Sequence, residues 1–396
     1  MRPEPSGDRG SRSGPLAGVR VIELQALGPA PFCAMLLSDF GADVIRIDRI
    51  PDDPSGQANA ALDRLARDVL ARGRRSIGIN LKSPDGLGVL LALVETADVL
   101  VEGFRPGVME RLGCGPEVCL QRNPRLVYAR ATGWGREGPY ADAPGHDINY
   151  IALSGALWPI GRAGQPPVPP LAYLGDFGGG GMLLALGVCA ALAERARSGQ
   201  GQVVDAAMVD GAALLSGFLH GARATGEWRE ERGANLIDSG APFYDTYETK
   251  DGKWVAIGAI EPAFYRNLLV ALDMTDEPWQ AQMDRSRWPA LRERFAATFR
   301  TRTRDEWCAY LDTANVCFAP VLSPWEAPDH PHHVARQTFQ TVAGLSQPAP
   351  APRFSRTPAA IAAPAPRPGQ HTDELLRELG VTDDAIRKLR SGGHVG

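Results

Sequence analysis

Val19-Arg20-Val21-Ile22-Glu23-Leu24, then Pro29 to Phe40, Gly41 and Asp43-Val44-Ile45-Arg46-Ile47, is the stretch that decides the fold. The first six residues read as a short buried strand, because so brief an apolar run bounded by turn signals is too short for a helix. Pro29 to Phe40 supplies a helix, Gly41 stops it, and Asp43 to Ile47 gives a second strand. Strand, helix and strand in that order make a βαβ unit.

The pattern recurs downstream. Ser76 to Leu81 reads as a strand, Ser83 as the N-cap of a helix through Glu95, and Asp98 to Gly103 as the next strand. Leu126 to Ala131 adds another. This alternation predicts an α/β fold with a Rossmann-like, doubly wound parallel sheet. Residues 181–198 read as a helix ending near Gly199, and 202–226 as one or two connecting helices. From Tyr244 the texture changes. Tyr244 to Thr249, Asp251-Gly252 and Lys253 to Gly258 spell a hairpin with a DG turn, and helical segments follow to about Leu311. Pro and Ala crowd 347–369 into an extended strap, and two short helices, 371–379 and 383–391, finish the chain. The domain reading is a disordered tail over 1–14, the N-terminal part of the large domain over 15–206 and a helical linker over 207–239. A smaller α+β domain over 240–320 and a strap returning to the large domain over 321–396 complete it.

A chain of 396 residues, 44% of them hydrophobic, can bury a large core. Its 44 glycines and 33 prolines are spread through apolar periodic segments as well as loops, which argues against low-complexity disorder. A net charge of −4 lacks the basic surplus of a general nucleic-acid binder. The cysteines (Cys33, Cys114, Cys119, Cys189, Cys308, Cys317) form no CxxC pair and read as buried thiols in a reducing compartment. Met1 to Gly14 is polar and unlike a signal peptide, and the apolar run Met182 to Leu192 is short for a membrane span. A cytoplasmic protein with no membrane partner is the expectation.

Three places could carry chemistry. In Gly145-His146-Asp147-Ile148-Asn149-Tyr150, Pro144 and Gly145 break the chain and helical spacing begins at Asp147. His146 would stand beside a helix N-terminus, which favours a growing negative charge on oxygen and the neutral form of a neighbouring imidazole. A histidine that merely caps the turn fits the same spacing. In Leu174-Gly175-Asp176-Phe177-Gly178-Gly179-Gly180-Gly181 the glycines allow backbone or ligand to approach closely, and Asp176 is either a functional carboxyl or a helix N-cap. No Walker lysine follows and the GxGxxG spacing after the first strand is absent, so a phosphate loop is the weaker reading. Glu261, after the apolar strand Trp254 to Ile260, is an acid at a strand end. Arg46, Arg49, Arg72, Arg74, Arg75, Lys82, Arg105 and Arg111 gather at strand ends and loops of the first half. A phosphate-rich ligand at the carboxyl ends of a parallel sheet would use them. Asp329-His330-Pro331-His332-His333 looks metal-like but is broken by Pro331, and no metal is expected.

Taken together the blocks resemble the family III (CaiB/BaiF-type) CoA-transferase superfamily and, within it, the α-methylacyl-CoA racemases. The resemblance runs from about Pro15 to the end. It rests on Pro15-Leu16-Ala17-Gly18-Val19-Arg20-Val21-Ile22-Glu23-Leu24, Gly41 to Arg49, Glu102-Gly103-Phe104-Arg105-Pro106-Gly107-Val108, Ala131-Thr132-Gly133-Trp134-Gly135, the His146 and Asp176 blocks, and Gly201 to Met208. It implies an interlocked homodimer with active sites between subunits, a large Rossmann-like domain built from both chain ends, and a small domain in the middle. It also implies epimerisation of 2-methylacyl-CoA thioesters by 1,1-proton transfer through an enolate, an isomerase reaction. His146 and Asp176 would be the opposed acid/base groups, Glu261 of the partner subunit would support the histidine, and the peptide N–H of Asp147 would hold the thioester oxygen. Substrate and CoA contacts would come from Arg49, Arg75, Ile79, Lys82, Gly103, Arg105, Arg111, Gly145 and Tyr150. No cofactor is implied, because CoA is part of the substrate.

The sequence departs from the racemase pattern at Ala172, where an asparagine is frequent, and in an insertion around 51–70. The rival within the family is a CoA transferase with Asp176 as nucleophile, forming an acyl-aspartyl anhydride. Such enzymes usually carry Gln just before a Gly-Pro, whereas here Ala26 and Leu27 precede Gly28-Pro29.

Overall fold

In the computed structural model the described residues are 12–50 and 68–396, so most of the 1–14 tail and of the 51–70 insertion lies outside them. The described chain divides into two units. One takes the residues up to Ser154, Leu171–Leu215 and Gln337–Gly396, and the other takes Gly155–Pro170 and Ser216–Arg336. Residues 155–170, read above as part of 15–206, group instead with the second unit. The reason is local bonding: the Trp158 indole donates to the Glu230 carbonyl and Arg162 pairs with Asp245.

The first unit is a six-stranded, all-parallel sheet. Its strands β1 (Arg20–Leu24), β2 (Asp43–Asp48), β3 (Arg74–Gly78), β4 (Val99–Glu102), β5 (Val127–Thr132) and β6 (Gln202–Ala207) stand in the order β3-β2-β1-β4-β5-β6. Between them run α1 (Pro29–Asp39), α2 (Pro84–Thr96, capped by the Ser83 hydroxyl), α3 (Val108–Arg111), α4 (Pro116–Arg122), α5 (Asp147–Leu153) and α6 (Leu183–Ser198), with α7 (Met208–Leu215) after β6. The strands read as continuous apolar runs because both faces are covered. Val21, Val44, Val99 and Val127 pack with Ala30, Leu37 and Val188 on one face. Ile22, Ile45, Leu100 and Tyr128 pack on the other with Leu90 and Leu93, and with Leu375, Leu376 and Ile386 from the C-terminal helices Thr372–Glu378 and Asp383–Ser391.

Two expectations shift. The third strand starts at Arg74 rather than Ser76, because both arginines are neutralised in place. Arg74 is buried against Glu23 at 2.8 Å, and Arg75 meets Asp43 at 2.7 Å. The segment 202–226 is not all helix: Gln202–Ala207 pairs in parallel with β5, and Gln202-Val203-Val204 carries the β-branched signal for it.

The second unit has its own apolar core, including Phe243, Tyr247, Ile257, Phe295, Phe299 and Trp307. The expected hairpin is present as Tyr244–Glu248 against Trp254–Gly258, and a third strand, Phe318–Val321, joins it.

Candidate active site

In a sheet of this order the crevice opens at the carboxyl ends of β1 and β4, where consecutive connections leave in opposite directions. After β1 the chain reaches Gly28, the N-cap of α1, in the left-handed region at φ 69°. After β4 it reaches Gly103, where an added methyl would lie 3.2 Å from the Ala26 side chain and 3.3 Å from that of Ala30. The carboxyl group of Asp176 is lodged at the same place. A methyl on Gly28 would stand 2.9 Å from its Oδ2, so this glycine provides both the turn and the room for the acid.

His146 is the N-cap of α5, and its ring is exposed. Its peptide N–H donates to the Asn149 side-chain oxygen at 3.0 Å, and its carbonyl accepts from the Asn149 N–H at 2.8 Å. The turn is braced from behind. The Tyr150 hydroxyl donates to the Gly145 carbonyl, and the Tyr150 ring meets Trp134 edge-on at 4.7 Å. A side chain at Gly133 or Gly145 would collide with Tyr150. A shallow, open depression lies beside the turn, lined by Trp134, Tyr140, Pro144 and Leu153 among others.

Asp176 is not an N-cap. Helical structure starts earlier than the sequence suggests, at Tyr173, and runs as a π-helix through Met182 before continuing as α6. The Phe177 N–H donates to the Ala172 carbonyl, five residues back. A π-turn of this kind widens the helix and is frequent at functional sites. The glycine run makes it packable: side chains at Gly179 or Gly211 would overlap each other's backbone, and one at Gly181 would press on Phe32 at 2.8 Å. Backbone at Gly179, and the Pro29, Met208 and Phe32 side chains at Gly180 and Gly181, fill the space that the glycines leave. The whole helical stretch Tyr173–Ser198 is 26 residues long and apolar enough, by length and composition, to match a membrane span, although here it packs against α1 and α7.

The two halves of the site meet through Asp147. Its Oδ1 accepts the Asp176 peptide N–H at 2.7 Å, and Gly175 leaves that oxygen the space to approach. Burial, and then the Asp147 charge, push the Asp176 carboxyl above the ordinary aspartate range, while the His146 charge pulls it back down. His146 and Asp176 are thus linked through Asp147, which follows the histidine in the chain and holds the Asp176 N–H. The Tyr150 phenol is pushed up by burial and by Asp176, with Arg105 opposing.

The remaining expected contacts separate. Arg49 after β2, Lys82 after β3, and Gly103, Arg105 and Arg111 after β4 stand at the carboxyl edge, with the Arg49, Lys82, Arg105 and Arg111 side chains exposed. Arg75 does not: it lies near the amino end of β3 and is spent on Asp43, Glu374 and Glu378. Ile79 is a core side chain, and its N–H is taken by the Asp48 carbonyl. Arg46, Arg72 and Arg74 are likewise internal, held by Asp48, Asp39 and Glu23. Glu261 belongs to the second unit, exposed at the N-cap of the helix Pro262–Ala271. Sequence reasoning missed the Asp147 carboxylate and Gly28. Asp in the first turn of α5 and Gly before the helix-opening Pro29 were the available signals.

The family model described as CoA-transferase family III matches residues 16–372. The chain is 48% identical over 378 residues to the alpha-methylacyl-CoA racemase of Mus musculus, and 44% identical over 378 residues to that of Homo sapiens. Each match covers 95% of this chain and 96% of the relative. A solved CAIB/BAIF family protein from Brucella suis shares the fold, with a TM-score of 0.79 at 24% identity over 93% of this chain and all of that one. With its parallel sheet and its near full-length matches, this chain belongs to CoA-transferase family III.

Proposed function

We propose that the protein epimerises 2-methylacyl-CoA thioesters, interconverting 2R and 2S forms by 1,1-proton transfer. His146 takes the α-proton from one epimer, the C–H electron pair moves onto the thioester oxygen as an enolate, and protonated Asp176 delivers a proton to the opposite face. The reverse reaction exchanges the roles, which is why two groups are needed. The Asp147 peptide N–H would hold the enolate oxygen, and one well-placed donor of this kind is worth roughly 3 kcal/mol. The observation that carries the reading is Asp176. Its half-buried carboxyl, with pKa raised by burial and by Asp147, is tied by the Asp147 Oδ1, at 2.7 Å from the Asp176 peptide nitrogen, to the turn that bears His146.

Arg49, Lys82, Arg105 and Arg111, exposed after β2, β3 and β4, would receive the phosphates of CoA, with Gly103 giving the backbone room to approach. Gly145 and Tyr150 shape the histidine turn. The working unit is a homodimer in which the partner subunit's Glu261 supports His146, acting without a cofactor, a nucleic acid or a membrane. Free cysteines, three of them buried, support a reducing, cytoplasmic setting. The family description favours one second reading, a CoA transferase with Asp176 as nucleophile. Deuterium wash-in at the α-carbon of a 2-methylacyl-CoA in D₂O, with no acceptor acid, decides between them. Exchange with inversion supports the racemase, and no exchange without an acceptor overturns it.

A further inference from the structure

Proton transfer to opposite faces of one carbon tolerates little error in where the second group stands. An error of about 1 Å at a reacting group can cost on the order of a hundredfold in rate. His146 and Asp147 are neighbours in the chain, so the backbone fixes the Asp147 side chain to the histidine turn. That side chain reaches across to the π-helix and accepts the Asp176 N–H at 2.7 Å. Position 175 is the one next to that N–H, and a side chain there would overlap the Asp147 Oδ1. Ala172, at the N-cap of the π-helix, has no polar side chain that could serve the same end.

We infer that the Asp147 side chain is a positioning residue, a strut from the base-bearing turn to the backbone of the acid-bearing helix. It sets where the Asp176 carboxyl stands relative to His146. The inference rests on the proposed epimerase reaction and adds to it a role separate from that of the Asp147 peptide N–H, which any residue at 147 would retain.

The strut also carries charge. The charges acting on Asp176 from α5 and its cap are Asp147 and His146, and Asp176 in turn acts on the Tyr150 phenol, which Arg105 opposes. Of the other elements packed on the π-helix, α1 presents Pro29 and Phe32, while α7, β5 and β6 carry the ionisable Asp210, Arg130 and Asp205, and none of these is among the charges acting on Asp176. Asp147 is thus the neighbour that opposes ionisation of Asp176.

The test measures α-deuterium exchange in D₂O from each pure epimer of a 2-methylacyl-CoA, using the full-length protein. H146A and D176A assign the epimers, because each should keep exchange from only the epimer that its remaining base deprotonates. D147A is then expected to lose roughly a hundredfold in exchange from the epimer that Asp176 serves, and less than about tenfold from the one that His146 serves. D147N keeps the acceptor and is expected to restore the Asp176-served exchange, with its acid limb moved to lower pH because the opposing charge is gone. Equal losses from both epimers in D147A would mean a merely structural role and overturn the inference, as would parental behaviour of D147A. If H146A and D176A both racemise normally, the epimerase reading itself fails, and that result is read in different proteins.

Discussion

Asp176 is held where its ionised form is disfavoured, and that has a consequence for stability. Burial comes first among the causes and the Asp147 charge second. A carboxyl whose folded pKa lies above its unfolded value of about 3.9 binds protons more readily in the native state. The stability it contributes is full below the unfolded value and is lost as pH rises through the folded one. Asparagine suffers no such loss. Asp176→Asn should therefore abolish epimerisation and yet resist urea better than the parent at about pH 7, with the gain shrinking toward zero at about pH 4. An equal gain at both pH values would show that the carboxyl's ionisation is not what strains the site. Such a trade between stability and activity is common where a site holds a group in the state that chemistry requires.

Across elements, the placement of that carboxyl depends on two glycines meeting backbone to backbone. Gly211 of α7 lies so close to Gly179 that a methyl group would strike the Gly179 carbonyl, which cannot rotate aside as a side chain would. Gly211→Ala should destabilise the fold by about 1–3 kcal/mol, as overpacking does, and lower turnover by shifting the π-helix. Gly221, inside the helix Gly217–Ala224, has nothing within 4 Å of its would-be methyl. Gly221→Ala should do the reverse, gaining up to about 1 kcal/mol from helix propensity. Urea melts of the two variants supply the comparison, and equal effects would remove close packing as the reason for the glycine run. This contact also marks where sequence reading reached its limit. Val21-Ile22 and Val44-Ile45 announce buried parallel strands, because alternate side chains enter opposite cores and leave no polar face. The glycine run announces close approach but not its partner, since the partner lies about thirty residues away. Gln202–Ala207 carries a β-branched signal but, at the sheet edge with its side chains mostly exposed or half-buried, lacks the continuous apolar run of the inner strands. His146 and Asp176 stood out by type and by neighbouring breaks. The side-chain reach of Asp147 did not, because a helix first-turn acid usually serves its own helix.

For the molecule as a whole, one part of the proposal lies in assembly. His146 and Asp176 are carried by the unit that holds the parallel sheet, whereas Glu261 is carried by the other. The proposed dimer supplies Glu261 to each histidine from the opposite subunit. If so, two dead proteins can rescue each other. A dimer of one H146A chain and one E261Q chain has one site in which both groups are altered and one in which both are intact. Random subunit exchange makes about half of the dimers mixed, each with one working site of two, so the mixture should recover about a quarter of parental activity. Were histidine and glutamate paired within one chain, every site in the mixed dimer would carry one defect and nothing would be recovered. Sedimentation of the mixture separates a failure to exchange subunits from a failure to complement. A monomeric parent protein, or a fully exchanged mixture without activity, would overturn the shared site. Because each chain then lends as well as borrows, a loss of stability in the Glu261 unit would appear as lost activity at its neighbour's histidine, and dilution below the dimer dissociation constant should lower the parent's specific activity for the same reason.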